Sequence, residues 1–271
     1  MSKPFFVGDI IMLKGKNAII TGSTSGIGLS IAHSLAEQNC NIMFNGFGDI
    51  NEINKLKDEF HSKYKIKTDY SAADMTKPDQ IASMVKQAES EFGSVDILVN
   101  NAGIQHVAAT EDFPDEKWNA IIAIDLSASF YTIKHTLPGM QKRKFGRIIN
   151  IASAHGLVAS IHKSAYVAAK HGLVGLTKVV ALENAESPIT CNAICPGWVK
   201  TPLVEKQIEA LAKEKKLSLQ DAEKFLLTEG QPSLRFVSPE EIGGLVVFLC
   251  SNSAVNITGS SCLIDGGWTA R

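Results

Sequence analysis

The chain has 271 residues, of which 45% are hydrophobic, and a formal net charge of −1 at pH 7. This length and composition can bury the core of one α/β domain over residues 1–271, and the small charge gives no electrostatic reason to bind nucleic acid or an anionic membrane. Five scattered cysteines without CxxC spacing indicate reduced thiols, and the apolar runs are too short for a membrane span or a secretion signal. We therefore expect a cytoplasmic protein.

Strand and helix patterns alternate along the chain. The predicted strands are 17–21, 41–45, 66–71, 96–99, 147–152, 189–194 and 261–264, separated by segments with helical periodicity. Such alternation predicts a doubly wound α/β fold of the Rossmann type, with about seven parallel strands and helices on both faces. Ligands of these folds bind at the carboxyl ends of the strands.

The first predicted strand runs directly into a glycine-rich turn. Residues 18–29 read AIITGSTSGIGL, and the helix that follows Gly28 contains no Pro or Gly before Cys40. Glycines at 22, 26 and 28 allow a tight turn and the close approach of a pyrophosphate, and the helix N-terminus offers unpaired N–H groups. A plain tight turn is the alternative, but the strand before it and the helix after it favour a dinucleotide site.

The turn after the second predicted strand bears on the choice of dinucleotide. Strand and turn read NIMFNGFGDINEI (41–53), and neither this turn nor residues 23–25 of the glycine-rich loop contain Arg or Lys to bind a 2′-phosphate. This absence favours NAD over NADP, although the acidic residue that usually binds the ribose is missing as well. We expect Phe47 to pack against the adenine or the ribose, and Asp49 to begin the next helix.

Ser153, Tyr166 and Lys170 form the most chemically specific pattern. Ser153 ends the apolar run RIINIAS (147–153), which predicts a buried strand, whereas Tyr166 and Lys170 lie four apart on one face of a predicted helix. A free tyrosine, with a pKa of ~10, is a poor base at neutral pH, but a nearby lysine favours the phenolate, which can accept an alcohol proton while hydride leaves the same carbon. Ser153 would hold the reacting oxygen. An ordinary surface pair is the alternative for YxxxK alone, and the glycine-rich turn favours catalysis.

Taken in order, these motifs resemble those of the short-chain dehydrogenase/reductase family. Its patterns TGxxxGxG, NNAG and YxxxK are matched by residues 21–28, 100–103 and 166–170, and the resemblance covers nearly the whole chain. It implies that Asp74 contacts the adenine and that the loop 196–202 holds the nicotinamide amide. The cofactor residues implied in this way are Gly22, Thr24, Gly26, Ile27, Gly28, Phe47, Asp74, Met75, Asn101, Gly103, Tyr166, Lys170, Pro196, Gly197, Val199 and Thr201.

One position departs from the family pattern. The family usually has an asparagine in the helix before the serine strand, completing a Ser-Tyr-Lys-Asn tetrad, and the segment IIAIDLSASF (121–130) has Asp125 there. The resemblance implies that this residue acts through its backbone carbonyl, which holds a water in the proton relay to the lysine, and an aspartate keeps that carbonyl. We expect retained activity, with the Asp125 side chain altering the charge near Lys170 and therefore the pH dependence.

Within the family, several segments are similar to members that oxidise D-3-hydroxybutyrate reversibly to acetoacetate. These segments are NNAGIQHV (100–107), ASAHGLVAS (152–160), KSAYVAAKHG (163–172), TPLVEKQI (201–208) and DGGWTAR (265–271). The substrate residues implied by the similarity are Gln105, His155, Lys163 and Gln207 at the carboxylate, Ser153 and Tyr166 at the reacting oxygen, and Trp268 near the methyl group. A small carboxylate requires hydrogen-bond donors and a positive charge of this kind.

Each of these assignments has an alternative. Gln105 and Gln207 are otherwise ordinary polar positions, His155 a hydrogen-bonded loop histidine and Lys163 a solvated charge. Trp268 is equally compatible with packing in the core or at a subunit interface. For the whole chain, the alternatives are a reductase of another small 3-hydroxy or 3-oxo compound and a catalytically idle NAD-sensing protein. The other histidines show no ligand spacing, so no metal site is predicted.

The segment 203–236 interrupts the alternation of strands and helices. It is rich in charge and predicts two short amphipathic helices. Its place after the nicotinamide loop favours a lid over the substrate, from which Gln207 would reach the site on closure, whereas a solvated insertion and an oligomer interface are alternatives. The family resemblance implies a homotetramer. It also makes residues 1–11 an N-terminal extension, either a true arm or the result of an upstream start.

Overall fold

The computed structural model describes residues 13–270 of the chain, except for the side chains at 203 and 229. The strands in this range are β1 (Asn17–Ile20), β2 (Asn41–Asn45), β3 (Thr68–Ser71), β4 (Ile97–Asn100), β5 (Gly146–Ile151), β6 (Ile189–Pro196) and β7 (Ser261–Ile264). They form one parallel sheet in the order β3-β2-β1-β4-β5-β6-β7. The predicted doubly wound fold is confirmed, and each predicted strand agrees with the observed bounds within two residues. The predicted extension, residues 1–11, lies outside the described residues.

Helices cover both faces of the sheet. They are α1 (Gly26–Glu37), α2 (Ile50–Tyr64), α3 (Pro78–Phe92), α4 (Asp115–Ile122), α5 (Ala128–Arg143), α6 (Ser164–Glu183), α7 (Pro202–Lys215), α8 (Leu219–Gly230) and α9 (Pro239–Cys250). Because side chains alternate along a strand, Ile20 packs into the cluster that contains α1 and α9, whereas Ile19 packs into the cluster that contains α3 and α5. β1 thus contributes to two apolar layers, as do β2, β4, β5 and β6.

Local sequence signals determine several helix ends. At the start of α9, Ser238 Oγ accepts from Glu241 N at 3.2 Å and Glu241 Oε2 accepts from Ser238 N at 2.7 Å, which is a capping box. Asp49 caps α2 by accepting from two backbone N–H groups of its first turn. α3 ends at Gly93, whose φ of 86° favours glycine. The prediction that Asp49 begins α2 is confirmed.

The chain changes direction across the sheet between β1 and β4. It adds β2 and β3 on one side of β1, then returns to place β4, β5, β6 and β7 on the other side. The loops that follow β1 and β4 therefore diverge and leave a crevice at the carboxyl ends of these strands. The glycine-rich turn and the segment 100–103 meet there, where Asn101 N donates to Thr21 Oγ1 at 3.0 Å.

The helices α7 and α8 are the two predicted for the segment 203–236. Their apolar sides pack on each other through residues such as Ile208 and Leu226. At their base, Val199 and Val237 form a parallel bridge, and Val237 N donates to Trp198 O at 2.9 Å. The helix pair is therefore attached at both ends to the loop that follows β6.

By length and composition, α6 is apolar enough to cross a membrane, which the inspection of apolar runs did not anticipate. Its buried residues include Ala165, Ala169 and Leu173, which belong to apolar clusters of the protein interior. In this fold the helix covers the sheet and presents Tyr166 and Lys170 at the carboxyl ends of the strands.

Candidate active site

Ser153, Tyr166 and Lys170 come from two parts of the chain and line one cleft. Ser153 follows β5, and Tyr166 and Lys170 lie one turn apart on α6. Lys170 Nζ donates to Ile151 O at 3.0 Å, which ties α6 to the end of β5. Ser153 Oγ accepts from His155 N at 3.1 Å, and Lys170 Nζ lies 5.4 Å from the centre of the Tyr166 ring. The fold thus brings together the three residues of the predicted trio.

The cleft encloses an empty volume of about 910 Å³, including its opening to solvent. Besides the trio, the predicted residues that line it are Ile27, Asn101, Gly103, Gln105, Asp125, His155, Lys163, Pro196, Gly197, Val199, Thr201, Gln207 and Trp268. Gln207 reaches the lining from α7 as the helices stand in this structure. Ile104, Trp198 and Val204 line the cleft as well and were not predicted. The position of Trp198 inside the nicotinamide loop was a signal for its role, whereas Ile104 and Val204 gave none.

The glycine-rich turn has the shape of a pyrophosphate cradle. Gly22 and Gly26 have φ values of +62° and +55°, which favour glycine. At Gly28 a β-carbon would overlap Gly22 O and lie 2.6 Å from Asn101 Nδ2, so the turn and the helix approach too closely for any side chain. α1 begins at Gly26, and its first N–H groups are free to bind an anion. Ile27 of this turn and the loop 196–201 both line the cleft, so the turn and the loop together fit a nicotinamide dinucleotide.

His155 is enclosed beside Ser153. Its Nε2 lies 2.8 Å from Ser160 Oγ, and its Nδ1 lies 3.4 Å from Ser153 Oγ. Burial, with smaller contributions from the charges of Lys163 and His171, lowers the pKa of His155 to about 4. The imidazole is therefore neutral at pH 7 and offers one N–H donor, so the positive charge on this side of the cleft comes from Lys163.

Two tryptophans form an aromatic wall of the cleft. The rings of Trp198 and Trp268 are stacked, with centroids 6.1 Å apart and an interplanar angle of 28°. Trp268 also meets the His155 ring edge-on at 5.1 Å, and Lys163 Nζ lies 5.0 Å from the centre of the Trp198 ring. Of the alternatives for Trp268, the structure therefore places it on the cleft.

Known proteins are similar to this chain in both sequence and fold. Residues 22–269 match a family model described as enoyl-(acyl carrier protein) reductase. The chain is 56% identical over 261 residues to the D-beta-hydroxybutyrate dehydrogenase of Cupriavidus necator, covering 96% of this chain and 100% of that protein. It is 52% identical over 256 residues to the protein of the same name from Rhizobium meliloti, covering 94% and 99%. The chain belongs to the short-chain dehydrogenase/reductase family.

Solved structures of the family share the fold. L-sorbose reductase from Gluconobacter frateurii, complexed with NADPH and L-sorbose, has a TM-score of 0.91 at 31% sequence identity, covering 96% of this chain and 99% of that one. The family predicted from the motifs is confirmed, and the chain is an oxidoreductase of that family.

Asp125 departs from the family pattern and lies in a π-helical turn, Ala123–Ser127, between α4 and α5. Such turns are rare overall, but where they occur they are often at functional sites. The carboxylate is 1% exposed, its Oδ1 accepts from Ile104 N at 2.9 Å, and its Oδ2 lies 3.4 Å from Lys170 Nζ. The aspartate therefore contacts the lysine through its side chain, in addition to keeping the backbone carbonyl of the usual asparagine.

Burial and charge oppose each other at three groups of the site. Burial raises the pKa of Asp125, against the charge of Lys170. Burial alone would lower the pKa of Lys170, but the charges of Asp125 and Tyr166 outweigh it and raise the pKa. Burial also raises the pKa of Tyr166, where the charge of Lys170 acts downward and that of Asp125 upward. Lys170 thus keeps its proton, and Asp125 opposes formation of the Tyr166 phenolate.

The other predicted cofactor residues, from the pyrophosphate turn and the adenosine side, lie outside the cleft. They are Gly22, Thr24, Gly26, Gly28, Phe47, Asp74 and Met75. Thr24 and Phe47 line a second depression, and the Phe47 side chain is 72% exposed, so its ring is free to stack on a base. Asp74 Oδ1 accepts from the N and Oγ1 of Thr76, both at 2.8 Å, and these bonds lower the pKa of Asp74. The adjacent Met75 is buried.

Asn45 supports the glycine-rich turn and was not predicted to do so. It is 1% exposed, and its Oδ1 accepts from Gly22 N at 3.2 Å. Its Nδ2 donates to Ser71 O at 3.1 Å and to Ala73 O at 3.0 Å. The side chain thus connects the turn to the end of β3. The signal in the sequence was an amide at the end of an otherwise apolar strand.

Proposed function

We propose that this protein catalyses the reversible NAD-dependent oxidation of D-3-hydroxybutyrate to acetoacetate. The observation that carries the proposal is the meeting of two sets of residues in one cleft. One set is the trio of Ser153, Tyr166 and Lys170, and the other consists of the carboxylate-binding candidates Gln105, His155, Lys163 and Gln207. A neutral alcohol has no carboxylate for the second set to bind. The identities of 56% and 52% to two D-beta-hydroxybutyrate dehydrogenases support the same substrate.

The trio provides the proton transfer that alcohol oxidation needs. A bound NAD, held by the glycine-rich turn and the loop 196–201, would supply the acceptor for the hydride of the carbinol carbon. Tyr166 accepts the hydroxyl proton, and the charge of Lys170 lowers the free energy of the phenolate. Ser153 Oγ hydrogen-bonds the reacting oxygen and holds it against the tyrosine. In the reverse direction Tyr166 returns the proton to the carbonyl oxygen.

The second set holds the carboxylate away from the reacting carbon. Lys163 supplies the cation; it is the N-cap residue of α6, three residues before Tyr166, and both side chains line the cleft. His155, neutral because its pKa is lowered to about 4, donates an N–H. The amides of Gln105 and Gln207 add donors from two other segments. The stacked rings of Trp198 and Trp268 provide an apolar surface for the methyl group.

The charges around the second depression, where the adenosine would lie, favour NAD over NADP. The depression that contains Thr24 and Phe47 is also lined by Asp49, Glu52 and Glu59. Lys55 is the one cation among the described residues that line it, and its Nζ lies 2.7 Å from Glu52 Oε1. A 2′-phosphate would therefore face three carboxylates against one ammonium group that is already paired.

We further propose a cytoplasmic homotetramer in which α7 and α8 act as the substrate lid. The five cysteines are unpaired and four of them are buried, which suits a reducing compartment. Apolar side chains remain exposed on α5 and α6, including Phe130, Val179 and Leu182, as expected of helices that pack against other subunits. The oligomeric state is measured by sedimentation equilibrium, and a monomer contradicts this part of the proposal.

The function is tested by NADH formation with each enantiomer of 3-hydroxybutyrate, in parallel with NAD and NADP. We expect rapid turnover of the D enantiomer with NAD and little with the other three combinations. Turnover with NADP alone would contradict the cofactor, and turnover of the L enantiomer would contradict the stereochemistry. No turnover with either enantiomer, in a protein that binds NAD, would contradict the substrate.

A further inference from the structure

The C-terminal end of α8 contacts both tryptophans of the aromatic wall. Gly230 packs on the indole of Trp268, so that a β-carbon at 230 would overlap Cε2 and Cζ2 and lie 2.8 Å from Cδ2. The next residue, Gln231, is fully buried, and its Oε1 accepts from Trp198 N at 2.6 Å. Gly230 and Gln231, at the C-terminal end of α8, therefore contact the Trp268 indole and the Trp198 backbone.

Trp268 has little freedom on its other sides. Its ring meets His155 edge-on at 5.1 Å and stacks on Trp198 at 6.1 Å. Its backbone belongs to a turn held by Asp265, whose carboxylate accepts from Gly267 N at 3.0 Å and from Thr269 N at 2.8 Å. The empty space beside the indole is the cleft itself, so a larger residue at 230 displaces the indole into the substrate site.

The backbone of Trp198 is held by Gln231. Gln231 Nε2 donates to Arg235 O, and its backbone N donates to Leu227 O at 2.7 Å, so the side chain cannot swing away. A β-carbon at Gly197 would overlap Gln231 Oε1 and lie 3.0 Å from Asp265 Cα. A displacement of the Trp268 ring is therefore not absorbed by a movement of the Trp198 backbone.

We propose that Gly230 is a positioning residue that determines specificity: by leaving room for the Trp268 indole, it sets the length of alkyl group that the cleft accepts beyond the carbinol carbon. This inference rests on the proposed function, because it requires the alkyl end of a 3-hydroxy acid to lie against the aromatic wall. One added or missing methylene in an apolar pocket changes kcat/KM by roughly 10-fold or more. Gly230 acts only through Trp268, so its effect must depend on the indole.

The test compares Gly230→Ala with the wild type on 3-hydroxypropionate, D-3-hydroxybutyrate and D-3-hydroxypentanoate, all with NAD. We expect the loss of kcat/KM to increase with the alkyl group, by ~10-fold for each added carbon and mainly through KM. The Kd of NADH, measured by fluorescence, should remain that of the wild type. Gly244→Ala is the matched control, because Gly244 is also a helical glycine and a β-carbon there meets no atom within 4 Å.

The dependence on Trp268 is tested by making Gly230→Ala in a Trp268→Phe background. The smaller ring leaves room for the methyl group, so the substitution at 230 should then have little effect on the chain-length preference. If it shifts the preference equally without the indole, Gly230 does not act through Trp268 and the inference is wrong. This pair of variants can be compared even if Gly230→Ala alone is too unstable to purify.

The remaining outcomes separate the inference from the function on which it rests. A wild type that does not oxidise D-3-hydroxybutyrate overturns both. A wild type that is active, with a Gly230→Ala variant that loses the same factor on all three acids or loses nothing, overturns the inference alone.

Discussion

Tyr166 is the residue on which the proposed chemistry depends most directly. Tyr166→Phe removes the phenolic oxygen and keeps the ring that meets His155 edge-on at 6.0 Å. We expect kcat for oxidation to fall by roughly 100-fold or more, because a positioned base contributes that much, while the Kd of NADH is unchanged. Stopped-flow kinetics and NADH fluorescence measure the two quantities. A variant that keeps its turnover would show that Tyr166 is not the base.

We expect Asp125 to influence the pH at which that base works. Its carboxylate lies 3.4 Å from Lys170 Nζ and raises the pKa of both Lys170 and Tyr166. Oxidation requires the unprotonated tyrosine, so its rate increases with pH through the pKa of Tyr166. Asp125→Asn removes the negative charge and keeps an acceptor for Ile104 N. We therefore expect the acid limb of the kcat/KM profile to move to lower pH.

The measurement for Asp125→Asn is the pH dependence of kcat/KM in D-3-hydroxybutyrate oxidation, with the KM at the optimum as its control. KM should stay close to the wild-type value, since Asp125 acts on the lysine. A profile that coincides with that of the wild type would mean that Asp125 does not tune the proton relay. A shift to higher pH would mean that the loss of charge compensation at Lys170 dominates.

For individual residues, the sequence predicted which side chains belong to the site better than it predicted their contacts. Motif spacing brought Ser153, Tyr166 and Lys170 together because a strand end and a helical i, i+4 pair have defined geometry. The family resemblance also placed the Asp125 charge near Lys170, but the sequence did not reveal the π-helical turn that carries Asp125, since its extra residue leaves no mark in the apolar pattern. Nor did it reveal the low pKa of His155, which depends on burial by distant segments.

Among the elements, the strands were predictable because they are short, apolar and buried on both faces. β2 and β7 have the predicted bounds, and the others differ by one or two residues. The helix pair 203–236 was predictable as amphipathic, with observed bounds of Pro202–Lys215 and Leu219–Gly230. The attachment of this helix pair to the nicotinamide loop was not predictable, since Gln231 binds Trp198 N, more than thirty positions away in the chain.

Gln231 connects α8 to the nicotinamide loop, and Gln231→Leu tests that connection. The leucine would remove the acceptor of the Trp198 N–H and one of two donors to the Arg235 carbonyl, which also accepts from Ser233 Oγ at 3.4 Å. We expect the free energy of unfolding to fall by about 2 kcal/mol, measured by urea titration, and the KM for NAD to rise because the loop loosens. Gln220→Leu, at an exposed position of the same helix, is the control. An unchanged KM for NAD would show that the loop does not depend on α8.

At the scale of the whole molecule, one sheet connects all the parts of the site. The glycine-rich turn follows β1, the trio depends on β5 and α6, and the aromatic wall follows β6 and β7. Since residues 13–270 share this sheet and its two apolar layers, we propose that residues 1–271 form a single domain and unfold in one cooperative transition. Two separate transitions, in calorimetry or in urea, would contradict a single domain.

The stability of that unit should depend on pH through His155. Its ordinary pKa is 6.5 and its pKa in the fold is about 4, so between these values the unfolded chain binds a proton that the folded protein does not. Stability is thus fully present above pH 6.5 and decreases as the pH falls to 4, by about 3 kcal/mol in total. His155→Gln, which cannot be protonated, should flatten this slope in urea titrations. Part of the slope will remain, because burial also lowers the pKa of His33. Equal slopes in the wild type and the variant would mean that the imidazole is not held neutral by the fold.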